Sequence, residues 1–453
     1  MMKQREHFGS RFAVIAAMAG SAVGLGNIWR FPYVLGEYGG AAFILVYIAA
    51  SLLVALPIFF AESIIGRRSR LDTFGAMRKL APGTAWKWVG LLTILSPLLI
   101  LSYYSVVGGW SVEFLFKALS FDFTGASTEE EVSGFFGQFI SSPWQPLITH
   151  TLFMALVAGV VLGGVKKGIE RFSKVAMPLL FVLIVFIVIY SLTLPGSMAG
   201  VTYLLKPDFS HLTSQAYAAA LGQAFFSLSL GVGTVLTYAS YVKKEENLVA
   251  SGVGTAICDL LFALIAAFAV MPAVFAAGIA PESGPGLVFQ TFPYIFNKMG
   301  EGMPIVSALV SATFFLTILA AALTSAISML EVGVAFLVDE KGMKRRTATL
   351  VLAFSTWLVG VLCSLSFGSL SGIKLLGLSF FDFLDTLCSD WLLPLGGLAF
   401  TIFVGWWMSK ADVRDELTNG GTVNVKLFRG VYFLMRYLAP VGIILVFLSN
   451  ILL

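Results

Sequence analysis

The sequence is short of charge. Only 12% of its 453 residues are Asp, Glu, Lys or Arg, against 58% hydrophobic, where a soluble domain carries about a quarter charged. So few charges cannot cover a water-facing surface of this size. A lipid solvent removes the need, because apolar side chains can face it. Histidine is scarce as well. His7, His150 and His211 are expected at segment ends or in loops, with no metal-ligand spacing and no nucleophile motif, which argues against a membrane enzyme. Cys258, Cys363 and Cys388 all sit in apolar stretches. Their spacing suggests neither a disulfide framework nor a zinc site, and they read as buried thiols. The first apolar stretch has no small-residue cleavage site, so it does not read as a removable signal peptide.

What the sequence has is apolar length, spread from end to end. A helix needs about 20 apolar residues to cross the hydrocarbon. Eleven candidates are found, at 11–36, 41–66, 88–118, 147–165, 170–194, 215–241, 247–279, 303–338, 347–367, 376–408 and 427–450. They are called spans 1 to 11 below, and they predict one all-α polytopic membrane domain over 1–453. Cationic residues orient it. With the N-terminus inside, the segments on that side hold most of the 29 Lys and Arg, and the C-terminus lies outside. The longest loop, 119–146, is acidic, with Glu129, Glu130 and Glu131.

Two spans carry glycine and polar residues at mid-depth: Gly24-Leu25-Gly26-Asn27 in span 1, and Ser227-Leu228-Ser229 followed by Gly231-Val232-Gly233-Thr234 in span 6. Two glycines close together favour local unwinding, each costing about 1 kcal/mol in a helix interior. A lone Gly-x-Gly in a span is more often a site of close helix packing. Here the two occupy matching places in two sets of five spans, 11–194 and 215–408, and an odd span count inverts the second set. Broken helices at corresponding places in inverted halves mark a secondary transporter. Freed carbonyls suit a sodium ion, and freed N–H groups at the start of a half-helix suit a carboxylate. A channel would want repeated filter segments or a continuous polar stripe, and neither is present.

The run Ala19-Gly20-Ser21-Ala22-Val23-Gly24-Leu25-Gly26-Asn27-Ile28-Trp29-Arg30-Phe31-Pro32 resembles the first-span signature of the neurotransmitter:sodium symporter family. Phe225-Phe226-Ser227-Leu228-Ser229-Leu230-Gly231 resembles its sixth-span signature, and Ala321-Ala322-Leu323-Thr324-Ser325 its eighth. The resemblance covers nearly the whole chain and is strongest to the bacterial amino acid carriers. It implies a LeuT-like 5+5 inverted repeat, with span 11 (427–450) outside the repeat where many members have twelve spans. It implies a sodium-coupled symporter of hydrophobic L-amino acids, aliphatic and aromatic, including Leu and Trp, working by alternating access. The location implied is the cell membrane, and the partners are the amino acid, sodium and the bilayer, with no nucleic acid.

Carried over motif by motif, the resemblance implies two sodium sites. The first takes carbonyls of Ala22 and Ser227, the side chains of Asn27, Ser227 and Asp259, and the substrate carboxylate. The second takes carbonyls of Gly20, Val23 and Ala321 with hydroxyls of Thr324 and Ser325. The substrate carboxylate meets the Leu25 and Gly26 N–H groups and the Tyr104 hydroxyl. Its ammonium meets carbonyls of Ala22, Phe226 and Ser227, and its side chain lies among Ile100, Tyr104, Phe226, Ser229, Val232, Ser325 and Met329. Family members that carry monoamines place an aspartate where this chain has Gly24, so glycine leaves room for the substrate's own carboxylate. Val232 stands where a leucine-carrying bacterial member has a bulkier aromatic, and a methylene of room discriminates by only about 1–3 kcal/mol, which implies a broad apolar range.

Ionisable groups inside spans are functional candidates by default. The resemblance pairs Arg30 with Asp385, directly or through water, as an outer gate, with Asp382 one turn before Asp385. It pairs Arg5 with Asp339 near Tyr241 as an inner gate. Asp259 stands where related chains usually have asparagine, and Ala263 stands where chloride-independent members often have a carboxylate. The charge of Asp259 is therefore expected to substitute for chloride, with no chloride requirement. Glu62 is expected to brace the break of span 6. Gly24, Gly26, Gly231 and Gly233 are the expected hinges of the two breaks. Gly168 and Pro178 are expected to let the inner end of span 5 unwind, since proline removes a backbone donor and disfavours the turn before it.

Overall fold

A computed structural model describes residues 6–125, 129–279, 288–290, 292–299, 303–423 and 428–452. Among them the chain is helical, with one isolated β-bridge, Leu375 to Leu378. Among the described residues nine helices are long and apolar enough to cross a membrane. They are Ala41–Ser69, Trp86–Leu119, Gln145–Leu162, Val165–Leu192, Leu248–Ala276, Pro304–Lys341, Arg345–Leu365, Phe380–Trp407 and Phe428–Leu448, which match spans 2 to 5 and 7 to 11. Arg11–Ala22 and Gly26–Glu37 make a tenth, bent by 54° at a short break. Span 6 is divided into Ser214–Ser227 and Thr234–Ala239, with residues 228–233 in turns between them.

The apolar faces explain the layering. Spans 3 and 8 run against each other through the middle, backed by spans 4 and 9. Span 1 lies against spans 5, 7 and 8, and span 2 packs on both halves of span 6. Outward faces carry exposed Leu, Ile, Val and Phe, such as Val182, Ile189, Phe354 and Leu358, as a lipid-facing surface allows. Pro97, Pro178 and Pro272 stand inside helices. Membrane helices tolerate this because neighbours re-satisfy the freed carbonyls.

Several boundaries differ from expectation. Spans 4 and 5 are joined by Gly163 and Gly164 alone, so Val165–Glu170 is a wide π turn that opens span 5 where a loop was expected. Span 10 starts at Phe380, because Leu375 and Leu378 pair with each other and Ser379 caps the helix by accepting from the Asp382 N–H. The loop 119–146 contains a helix, Glu129–Ser141. His150 is not at a segment end. Span 4 begins at Gln145, so His150 is buried within it, its Nε2 2.9 Å from Ser105 Oγ. The cysteines are free thiols; Cys363 and Cys388 are buried and Cys258 is half-buried.

Candidate functional site

The break in span 1 begins where the helix stops at Ala22. Val23 is extended, and winding resumes at Gly26. The break in span 6 is held by positive φ at Ser229, Gly231 and Gly233; the glycines adopt it freely, while at Ser229 it is a backbone strain of the kind that clusters at functional sites. Gly231 is required twice. Its φ of 80° disfavours any side chain, and a Cβ there would fall 2.1 Å from the Leu393 carbonyl oxygen of span 10. The freed Gly231 N–H donates to Glu62 Oε1 at 2.6 Å. Glu62 is fully buried, so the brace expected from span 2 is in place.

Three side chains from three helices meet beside the breaks. Asn27 Nδ2 donates to Asp259 Oδ1 at 2.8 Å and to Ser227 Oγ at 3.0 Å. Ser227 Oγ lies 2.8 and 2.9 Å from the two Asp259 oxygens. Asn27 Oδ1 accepts the Gly24 N–H at 3.1 Å, tying the cluster to the break itself. All three residues are buried. The charge of Asp259 is thus met by neutral donors alone, and a buried carboxylate in that position calls for a cation. The Asp259 carboxylate and the Ser227 hydroxyl offer the oxygens a hard cation takes, while Asn27 turns its amide nitrogen toward them and keeps its oxygen on the Gly24 N–H.

A second group forms where span 8 crosses the end of the first half of span 1. Thr324 Oγ1 lies 2.8 Å from the Ala321 carbonyl oxygen and 3.3 Å from that of Val23. A Cβ at Gly20 would stand 3.4 Å from Thr324 Cβ. Ser325 points elsewhere. Its hydroxyl donates to the Ser21 carbonyl at 3.1 Å, and Ser229 Oγ donates to the same oxygen at 3.0 Å. Ser21 therefore ties span 1 to both spans 6 and 8, a joint the sequence reading did not single out.

Between the two groups the Leu25 N–H donates to the Tyr104 hydroxyl at 3.4 Å. A Cβ on Gly24 would sit 2.4 Å from Ser325 Oγ and 3.1 Å from Tyr104 Oη, so this spot admits no side chain from span 1. The ring of Phe226 covers Gly26, 3.1 Å from where its Cβ would be. A cavity of about 570 Å³ opens from here, within the ordinary range for small-molecule sites. Leu25, Gly26, Tyr104 and Phe226 line it, together with Arg30 and Asp385. Ile100, Val232 and Met329 are buried and Ser229 half-buried; these four and Ser325 lie outside its wall.

Arg30 and Asp385 face this cavity without an ion pair. Arg30 Nη1 donates to Gln223 Oε1 at 2.8 Å, and its guanidinium lies 5.4 Å from the centre of the Phe226 ring. Asp385 Oδ1 accepts from Ser389 at 3.1 Å. Gln223 also donates to the Gly26 carbonyl at 2.9 Å, so it links Arg30 to the break. An amide in an apolar run was a visible signal that went unread. On the opposite side of the breaks, Arg5 lies outside the described residues. Asp339 Oδ2 accepts the Asp72 N–H at 3.0 Å. Tyr241 donates to Glu331 at 2.7 Å, and Glu331 pairs with Arg345. Glu331 is fully buried in span 8. The rule that singled out Asp385 applies equally to it and would have found it. Gly168 is packed against the Val160 carbonyl, and Pro178 sits in an unbroken helix.

Relatives bear on what this arrangement is for. The Sodium:neurotransmitter symporter family matches residues 5–134 and 138–453. An uncharacterized sodium-dependent transporter of Bacillus subtilis, YhdH, is 39% identical over 97% of this chain and 96% of its own. An uncharacterized sodium-dependent transporter of Haemophilus influenzae is 34% identical over 99% and 98%. The crystal structure of MhsT in complex with L-phenylalanine superposes with a TM-score of 0.89 at 43% identity, covering 99% of this chain and 100% of that one. Matches of this extent, on a helical membrane architecture with these breaks, settle the class: the chain belongs to the sodium:neurotransmitter symporter family, a family of transporters and not of enzymes.

Proposed function

We propose that this chain imports hydrophobic L-amino acids, aliphatic and aromatic, including Leu and Trp, by symport with sodium. The observation that carries the reading is the buried cluster of Asn27, Ser227 and Asp259 directly beside the break whose Leu25 N–H faces Tyr104. A zwitterion seated there places its carboxylate on the Leu25 and Gly26 N–H groups and against a sodium ion at that cluster. The ion is completed by carbonyls of Ala22 and Ser227. The second sodium takes Thr324 with carbonyls of Gly20, Val23 and Ala321; Ser325 joins it by turning its hydroxyl from Ser21. The substrate side chain then displaces the Phe226 ring and reaches Ile100, Val232 and Met329. That MhsT was crystallised with L-phenylalanine supports an apolar substrate of aromatic size.

The coupling follows from shared ligands. Sodium and substrate bind together because each completes the other's shell. Closure of Phe226 and Tyr104 under Arg30 and Asp385 then precedes opening toward the side of Tyr241 and Glu331. With the N-terminus inside, a sodium ion entering across 100 mV gains about 2.3 kcal/mol before its concentration gradient is counted. The two five-span repeats, 11–194 and 215–408, supply the opposed half-helices. Asp259 carries the negative charge that a chloride ion would otherwise bring, so chloride is not required.

Proteoliposomes test this. An inward sodium gradient should drive saturable accumulation of radiolabelled leucine, unlabelled tryptophan should compete, and replacing chloride by gluconate should change nothing. Uptake that never exceeds equilibrium would point to a channel. Accumulation that fails without chloride would refute the role given to Asp259.

A further inference from the structure

Spans 10 and 11 pack side by side and are joined on the side of the helix Lys410–Leu417. Near that end both are π-wound, at Phe403–Trp407 and at Leu434–Leu438, and the two turns lie against each other. Such turns often mark functional sites. Gly405 makes the contact close. A Cβ there would fall 3.1 Å from Arg436 Cα and 3.4 Å from Arg436 Cβ and Cγ. The Tyr432 hydroxyl donates to the Gly405 carbonyl at 3.2 Å. Arg436 is thus fixed within span 11, where an ionisable residue is a functional candidate by default.

Its charge is met by rings. The guanidinium lies 5.4 Å from the centre of the Trp406 ring and 5.5 Å from that of Tyr437. The two rings stand at 86° to each other, so the cation sits in the corner they make. Among the described residues no carboxylate meets Arg436, and its Nε is buried without a hydrogen-bond partner. Trp406, Trp407, Phe433 and Tyr437 are exposed on the outer face around it. An aromatic belt with a snorkelling arginine accounts for rings and a cation at a membrane interface. It does not account for the buried Nε, because a head that only snorkels leaves its donors in water, and a buried donor left unmet is costly.

The carboxylates of the joining helix are engaged elsewhere. Asp412 pairs with Arg68, Asp415 with Arg68 and Lys244, and Glu416 with Arg67. The exposed cations of the same helix rest on rings of span 11 instead. Lys410 Nζ lies 5.4 Å from the centre of the Tyr432 ring, and the Arg414 guanidinium 5.9 Å from that of Phe428. The surface of the hairpin at this end is therefore cationic and aromatic.

We propose that the corner of Arg436, Trp406 and Tyr437 binds the phosphate headgroup of an anionic phospholipid, whose acyl chains lie along the exposed faces of spans 10 and 11. The guanidinium offers the phosphate oxygens a planar fork of donors, and the two rings hold that fork in place. Lys410 and Arg414 add the attraction that a basic pocket between membrane helices has for such a headgroup. Neither sodium nor the amino acid takes part, so the site stands apart from the symporter reading.

Native mass spectrometry of the full chain, freed of lipid in detergent and titrated with phosphatidylglycerol or phosphatidylcholine, tests the site. One phosphatidylglycerol should bind several-fold more tightly than phosphatidylcholine. Arg436→Gln keeps the Cβ and Cγ that pack on Gly405 and should weaken that binding about fivefold. Trp406→Ala should weaken it about threefold. Lys87→Ala, which takes a cation from the exposed Trp88 ring elsewhere on the surface, should change nothing. Equal binding of the two lipids, an unchanged affinity in Arg436→Gln, or an equal loss in Lys87→Ala overturns the proposal. Should Arg436→Gln fail to fold, Trp406→Ala decides, and an unchanged affinity there overturns it. Displacement of the lipid by equimolar inorganic phosphate would make this a free-anion site. A lipid-free dimer that Arg436→Gln dissociates would give the corner to a second copy of the chain. Either result overturns the lipid.

Discussion

The two sides of the breaks are built differently. On the Arg30 side a cavity of about 570 Å³ is lined by both Arg30 and Asp385, and each bonds a neutral partner, Gln223 or Ser389. On the Phe8 side described side chains pack against one another. Phe8 is wedged against Tyr238 and Tyr241, Tyr241 is bonded to Glu331, and Glu331 to Arg345, which also donates to the Val161 carbonyl at 3.0 Å. One side is held by a few bonds to neutral groups and the other by charged bonds between helices. Access from the Arg30 side is the arrangement this difference favours, and the transport cycle proposed above requires the bonds on the other side to break.

The comparison is broken most strongly at Glu331. Glu331→Ala leaves Arg345 without its buried partner, and losing one member of a buried pair costs about 3–5 kcal/mol. The partly exposed Arg345 side chain, 21% accessible, puts the expected loss at the lower end. Thermal unfolding should drop, and a cysteine introduced at the neighbouring buried Val242 should become reactive from the Phe8 side; Glu331→Gln, which keeps an acceptor for Tyr241, should do both to a smaller degree. An unchanged reactivity would mean that this network is not a seal.

Arg30→Ala sharpens the other half. It removes the bond to Gln223 and the guanidinium from the Phe226 ring, a contact worth about 0.5–2 kcal/mol. Labelled leucine should dissociate roughly three- to tenfold faster toward the Arg30 side, with little change in thermal stability. A large stability loss would show that Arg30 is structural.

The smallest effect is expected at Asp72, in the loop after span 2. It caps the helix Thr73–Leu80 by accepting the Phe74 and Gly75 N–H groups. Burial, with the Asp339 and Glu340 carboxylates adding to it, pushes its carboxyl up to about 7. A carboxyl raised in the folded state favours folding below its unfolded value, near 4, and that contribution is lost as pH rises through about 7. Wild-type melting temperature should therefore fall between pH 5 and pH 8. Asp72→Asn, which retains a good cap, should flatten that slope by something on the order of 1–3 °C. An identical slope in both proteins would remove Asp72 from the account.

Much of this was legible in the sequence, because membrane helices announce themselves by apolar length and the breaks by paired glycines. Asn27, Ser227 and Asp259 come together as the motif implies, and Glu62 reaches Gly231. What escaped depends on distance in the chain. Nothing local to Val165 tells that its N–H bonds Glu6, and nothing local to Gln223 tells that it bridges Arg30 and Gly26. The π turn at Val165–Glu170 hid because its lysines read as loop. His150 hid because a histidine three residues from a predicted boundary reads as surface when the helix in fact starts earlier, at Gln145.

The most direct test of the central claim is equilibrium binding of labelled leucine to the purified protein as sodium is raised from zero with potassium as the balancing ion. The account predicts no saturable binding without sodium, a steep gain with it, and loss of that sodium dependence in Asp259→Ala. Leucine binding of equal affinity with and without sodium in the wild-type protein would contradict it.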